Sequence, residues 1–322
     1  MAPRAWGAAP GRAARPDQRL PTPWAYARDR SGSGGPALAS PLAARLSSTE
    51  MFDETAPLAQ MQRVDGRAGA VIGAGGRLKR LWQKGSAKAM LPRMHGRAPE
   101  VVFLNTAGGL TGGDRLDYTL EVEAGAAAVG TSQTAERAYR ARDGVARVST
   151  RLTLGTGARL HWLPQEVIVF EGAALDRRLQ VEMAGDAELV LLETLVLGRA
   201  AMGERLAEIA LTDRREVIRD GRVAMVEAIR LGPEDLTRPG AAGLSGAVAV
   251  ATLTLFAPDA GDRLDRLRAV LPAGGAVRAA ASSWDGRIVA RFAAAEAWPL
   301  RVAVARAVER VTEGPLPRVW QI

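Results

Sequence analysis

The stretch VVFLNTAGGLTGGDRL, residues 101–116, decides the reading of this chain. Its four leading apolar residues form a short buried strand that Asn105 and Thr106 end. Two glycine pairs follow, Gly108–Gly109 and Gly112–Gly113, and they fit a tight corner because glycine adopts positive φ without a Cβ penalty. Asp114 opens the next run, which alternates: Leu116, Tyr118, Leu120 and Val122 on one face, Asp117, Thr119, Glu121 and Glu123 on the other. A buried strand, a glycine corner carrying one carboxylate and a half-exposed strand are therefore expected in series. A phosphate-binding loop does not fit, since Gly113 is followed by Asp114 where such a loop needs Lys and a hydroxyl. A dinucleotide fingerprint fails too, because a strand follows where a helix is required.

Outward from this corner, the pattern of short strands continues. Residues 63–72, 77–83, 126–133, 147–154, 158–163, 167–170, 179–183 and 189–197 read as strands, with turns at glycines between them. Asp220-Gly221 and Asp285-Gly286 each sit between strand-like runs and signal two-residue hairpins. Residues 84–100 read as a loop holding His95, and residues 133–144 as a short helix or extended loop. Residues 232–246, with Pro233 and Pro239, read as a linker. Beyond them a strand at 247–256, a helix at 259–271, a hairpin and a helix at 296–313 suggest an α+β part. The expected organisation is an N-terminal tail (1–55), a β-rich body (56–240) and a C-terminal α+β subdomain (241–322) packed on it. The fold class is mainly β.

Composition narrows the chemistry. The 322 residues include no Cys and only two histidines, His95 and His161. Disulfides and thiolate sites are excluded, and a histidine-based triad or structural zinc site lacks its parts. No Gly-x-Ser-x-Gly elbow occurs. Aromatics make up 5%, too few for the stacked sugar contacts of a glycosidase groove. The net charge is +8, of which residues 1–50 carry half: seven Arg against Asp17, Asp29 and Glu50. That tail reads as disordered, or as a start assigned upstream of Met51. The remaining charge alternates through strands without a basic helix, so no nucleic-acid partner is expected. No run reaches a membrane span, no secretory segment is apparent, and a cysteine-free chain fits a reducing cytoplasm.

With those classes removed, carboxylates in apolar settings remain. Asp114 lies at the corner, Glu166 precedes an apolar strand, Glu193 interrupts the most hydrophobic strand, and Glu204 closes GRAAMGE. Each needs pairing or hydration. Salt bridges to Arg199, Arg205 or backbone amides are one expectation. A polar path that passes a cation at low affinity is the other.

Four blocks, NTAGGLTGGD (105–114), ARLHWLPQEVIVFEGA (158–173), LETLVLGRAAMGE (192–204) and PRVW (317–320), together resemble the urease accessory proteins of the UreD (UreH) type. The likeness spans about residues 63–322 and leaves out the tail. It implies a non-catalytic assembly factor on a superhelical, β-helix-like stack of strands. Its implied partners are the urease apoprotein, the F-type accessory protein and, through the latter, the GTP-hydrolysing G-type protein. Nickel would be transient cargo, with no tightly bound cofactor, and a polar tunnel would carry it. Asp114 matches the Asp of the family's GGD corner and Glu204 its Gly-Glu, while Glu193 falls where some members carry Asp. A pure scaffold, through which no nickel passes, and a hydrolase on the same body are the alternatives.

Overall fold

The computed structural model describes residues 63–94, 97–240 and 243–320. The tail 1–55, His95 and the last two residues lie outside the described residues. The first strands are β1 (Asp65–Gly73), β2 (Arg77–Lys84), β3 (Ala87–Met90), β4 (Glu100–Asn105), β5 (Arg115–Val122), β6 (Ala127–Ser132), β7 (Glu136–Ala138), β8 (Ala146–Leu154) and β9 (Arg159–Trp162). They continue as β10 (Val167–Val169), β11 (Ala173–Met183), β12 (Glu188–Leu197), β13 (Ile209–Arg219), β14 (Arg222–Leu231), β15 (Ala249–Phe256), β16 (Val277–Trp284) and β17 (Arg287–Ala294). Helices α1 (Pro233–Thr237), α2 (Leu264–Arg268) and α3 (Ala297–Thr312) lie in the last third.

The body is a β-solenoid. Its coil strands fall alternately into two sheets, each parallel to the previous coil strand of its own sheet. β1, β5, β8, β11 and β13 stack in one sheet. β4, β6, β9 and β12 stack in the other. β7 and β10 pair with each other, and β10 adds to β12 beyond β9. Parallel stacking leaves open ends, and antiparallel strands extend them: β2 and β14 on the first sheet, β3 and the β15–β17–β16 meander on the second.

Alternation along the strands explains why the sheets face each other. Leu116, Leu120, Leu152, Leu175, Val181 and Leu189 point between them and form one core. A second core lies on the outer face of the second sheet, where Val190, Leu192 and Leu253 meet Leu300, Val304 and Val308 of α3. β12 is thus buried on both faces, which is why its sequence is almost unbroken apolar. The buried residues of α3 recur at helical spacing, Leu300, Val304, Ala307 and Val311 among them. Each such Leu or Val contributes about 1.5–3 kcal/mol by leaving water, so Val304→Asp would detach the helix. Trp320 packs back, donating from Nε1 to the Leu163 carbonyl at 3.0 Å.

The two hairpin turns have the expected conformation: φ is 49° and 71° at Asp220 and Gly221, and 47° and 69° at Asp285 and Gly286. Three expectations need correction. Of the short helix or extended loop expected at residues 133–144 the helix does not form and the chain is extended; within it Glu136–Ala138 pair with β10, drawn in because the Glu136 amide bonds the Glu166 carbonyl. The supposed loop 84–100 contains β3, whose small residues Ala87 and Ala89 are buried without any apolar run to announce them. The helix expected at 259–271 is a 3-10 turn followed by the five-residue α2. Across the expected boundary at 240/241 the second sheet is continuous, because β15 pairs with β12 over its full length.

Candidate functional site

Inward positions of a solenoid strand are normally apolar, and three neighbouring strands break that rule at one level. On β11 the inward series is Leu175, Arg177, Leu179; on β13 it is Leu211, Asp213, Arg215, Val217; on β12 it is Leu191, Glu193, Leu195. Register places Arg177 beside Asp213 across the β11–β13 pair. The result is a chain of ions between the sheets. Trp162 Nε1 donates to Glu193 Oε1 at 3.1 Å, and Arg177 reaches Glu193 at 2.5 Å and Asp213 at 2.7 Å. Arg215 bonds Asp213 at 2.7 Å and Glu227 of β14 at 3.0 Å. Glu227 also accepts from Arg291 at 3.0 Å and from the Thr252 hydroxyl at 3.2 Å.

Asp213, Arg215 and Glu193 are 2–3% exposed, so holding these groups away from water is costly unless each is paired. Burial opposes ionisation of Asp213, but Arg177 and Arg215 hold it below the usual carboxylate range. Burial likewise disfavours the charge on Arg177, and Asp213 and Glu193 more than restore it. Removing one member would strand the others, a loss of about 3–5 kcal/mol for a buried pair.

The ladder has a hollow at each end. On one side lies a cavity of about 90 Å³, lined by Asn105, Tyr118, Glu136, Trp162, Arg177 and Glu193 among others. That is room for several waters among polar partners. On the other, the splayed ends of the two sheets leave a cleft of about 900 Å³ walled by Ile229, Val250 and Phe292, with Arg215, Glu227 and Arg291 on its polar side. Glu193 lines both. Within the smaller cavity Glu136 is half-buried, and its Oε1 accepts from the Asn105 side-chain amide at 3.4 Å and from the Arg137 backbone amide at 3.2 Å. Burial pushes its carboxyl up to about 7, a rise that Asn105 and Arg177 reduce without cancelling. Burial and the nearby Glu136 also raise the Tyr118 phenol.

Of the four carboxylates singled out in the sequence, Glu193 alone belongs to this ladder. The structure does not bring the others to it. Asp114 is 3% exposed and closes the glycine corner: its Oδ1 accepts from the Val64 amide and its Oδ2 from the Thr111 amide, each at 2.8 Å. Around it Gly108, Gly109 and Gly113 hold φ of 78°, 153° and 87°, while a Cβ on Gly112 would lie 2.2 Å from the Asp143 carbonyl oxygen. Glu166 pairs with Arg301 of α3 at 2.9 Å. Glu204 takes a two-pronged bond from Arg199, at 3.0 and 2.9 Å, which holds its carboxyl below the usual range. His161 is half-buried in β9, its Nε2 3.8 Å from Glu188. Sequence reading missed Glu136, Arg177, Asp213, Arg215 and Glu227. For three of them the signal was present as charged residues at two-residue steps between Leu175 and Leu179 and between Leu211 and Val217.

Every ladder carboxylate faces an arginine instead of a second carboxylate. No group of three or more His, Asp or Glu side chains placed to hold a metal ion occurs among the described residues. No helix among them is long and apolar enough to cross a membrane.

A family model described as "UreD urease accessory protein" matches residues 65–321. A urease accessory protein UreD from Jannaschia sp. (strain CCS1) is 65% identical over 272 residues, covering 84% of this chain and all of that relative. Another from Dinoroseobacter shibae is 53% identical over 243 residues, covering 75% of this chain and 85% of the relative. A third, from Paracoccus denitrificans, is 48% identical over 273 residues, covering 84% and 97% respectively.

Proposed function

The chain belongs to the UreD family of urease accessory proteins, and on that footing we propose that it serves nickel insertion into urease as a non-catalytic relay. In this reading it binds the urease apoprotein in the cytoplasm together with the F-type and G-type accessory proteins. Nickel passes between the cavity at Glu136 and the cleft at Glu227 along the carboxylates of the ladder. The observation that carries the reading is the buried row Glu193–Arg177–Asp213–Arg215–Glu227, with a hollow at each end.

The donor chemistry supports a relay. Carboxylates are hard ligands that hold nickel weakly, whereas thiolate or clustered imidazole would retain it. Guanidinium partners, with Arg291 on Glu227 as the third, balance the three carboxylates of the row between passages, and a cation enters by displacing one of them.

One observation favours a pure scaffold: each ladder carboxylate is already engaged, so the row could serve only to fix the two sheets in register. The two readings separate in cells that produce urease with its accessory proteins. Glu227→Gln and Glu193→Gln should lower urease activation while the protein still co-purifies with its partners. Full activation by both variants, or loss of activation only together with loss of binding, would remove the relay.

A further inference from the structure

At one end of the first sheet, opposite β14, lies the edge strand β2. It pairs with β1 on one side, and among the described residues its other edge has no strand partner. In eight residues, RLKRLWQK, it carries Arg77, Lys79, Arg80 and Lys84 and no acid. No ion pair engages any of these four among the described residues. Arg80 is held in place by stacking 4.6 Å over the Trp82 ring. Trp82 itself lies over Gly69, where an added Cβ would come within 2.2 Å of the ring.

The register slips between Val71 and Ile72, so that Leu78 and Leu81 oppose Ile72 and Ala70. Those two partners are fully buried, yet Leu78 and Leu81 remain 44% and 40% exposed. The strand thus overhangs the body with two leucines on one side, an edge with no strand partner among the described residues, and four cations of which only Lys79 has an acid, Glu123, beside it.

We propose that the free edge of β2 takes up an acidic, extended segment of a partner protein as an added strand. Backbone pairing along an open edge supplies the register, and pockets for alternate side chains supply selectivity. Charge selects the occupant. A second copy of β2 would bring four more cations against these four, so the feature that guards the edge against self-association admits only a strand of opposite sign. Leu78 and Leu81 would bury against apolar residues of that strand. The inference does not depend on the metal route, because β2 contributes no residue to the ladder or its hollows.

The test places the photo-reactive residue p-benzoylphenylalanine at Leu81 in the full chain, co-produced with urease and its accessory proteins. Adducts are read by mass spectrometry after irradiation. The expected adduct falls in a net-negative segment of a partner chain. Lys79→Glu combined with Arg80→Glu should cut its yield roughly tenfold, as should raising salt on the unaltered complex. A reporter at Val223, an exposed residue on β14 at the other end of the same sheet, should not give that adduct. Should the double variant melt early, the salt series alone decides. Adducts to nucleic acid, to a second copy or to residues 51–62 of the same chain would overturn the proposal. So would yields indifferent to charge and salt, or no adduct at all.

Discussion

Arg177 on β11 and Glu193 on β12 meet between the two sheets of the solenoid, guanidinium to carboxylate at 2.5 Å, and this pair joins the two hollows into one polar system. Glu193 is fixed from its other oxygen by the Trp162 indole, so the pair cannot swing freely while both contacts hold.

Removing one side of this pair should be costly. Arg177→Met leaves Glu193 without its guanidinium and deprives Asp213 of one of two, and a loss of about 3–5 kcal/mol is expected by urea unfolding. Combining it with Glu193→Leu should restore part of that loss, giving a non-additive cycle. Strict additivity would mean that the two side chains do not act as a pair.

Glu136 should impose a pH dependence of its own. Its carboxyl titrates at about 7 in the folded protein, against an ordinary value of 4.5. Between those values the folded state holds a proton that the unfolded chain has released, so stability falls as pH rises through the window. The full effect is on the order of 3 kcal/mol, reduced in so far as water reaches the group. Glu136→Gln keeps an acceptor for Asn105 and should flatten the fall. Urea unfolding of both proteins at pH 5 and pH 8 measures it; equal slopes would place the proton elsewhere.

Asp114 should matter for folding and not for metal transfer. Both its oxygens are occupied by backbone amides of Val64 and Thr111. Asp114→Ala should cost about 2–4 kcal/mol by stranding two buried donors. Activation per folded molecule should stay unchanged. Normal stability with lost activation would reverse that assignment.

Much of this arrangement was legible in the sequence. Alternation gave the strands around residue 116, and the Asp-Gly pairs gave both hairpins, because those signals are local. Glu193 stood out because it interrupts an apolar run. Arg177 was overlooked because two adjacent arginines hide which one faces inward, although counting in twos from Leu175 selects it. The meeting of Arg177 with Asp213 depends on which strands stack as neighbours, and parallel stacking is set by contacts distant in sequence. β3 and β7 are too short to show a period. Asp114, Glu166 and Glu204 drew notice as isolated carboxylates, and each is satisfied by an amide or arginine that its sequence position does not reveal.

The relay is tested most directly by blocking it and releasing the block. The chain has no Cys, so a single Thr134→Cys at the mouth of the smaller cavity can be labelled uniquely with a bulky disulfide-forming reagent before assembly with the partners. Nickel in urease is then measured by metal analysis, with Thr153→Cys on the outer face of β8 as the control label. The relay predicts that the Thr134 label stops nickel loading, that reductant restores it, and that the Thr153 label does neither. Full nickel loading with the cavity plugged would contradict it.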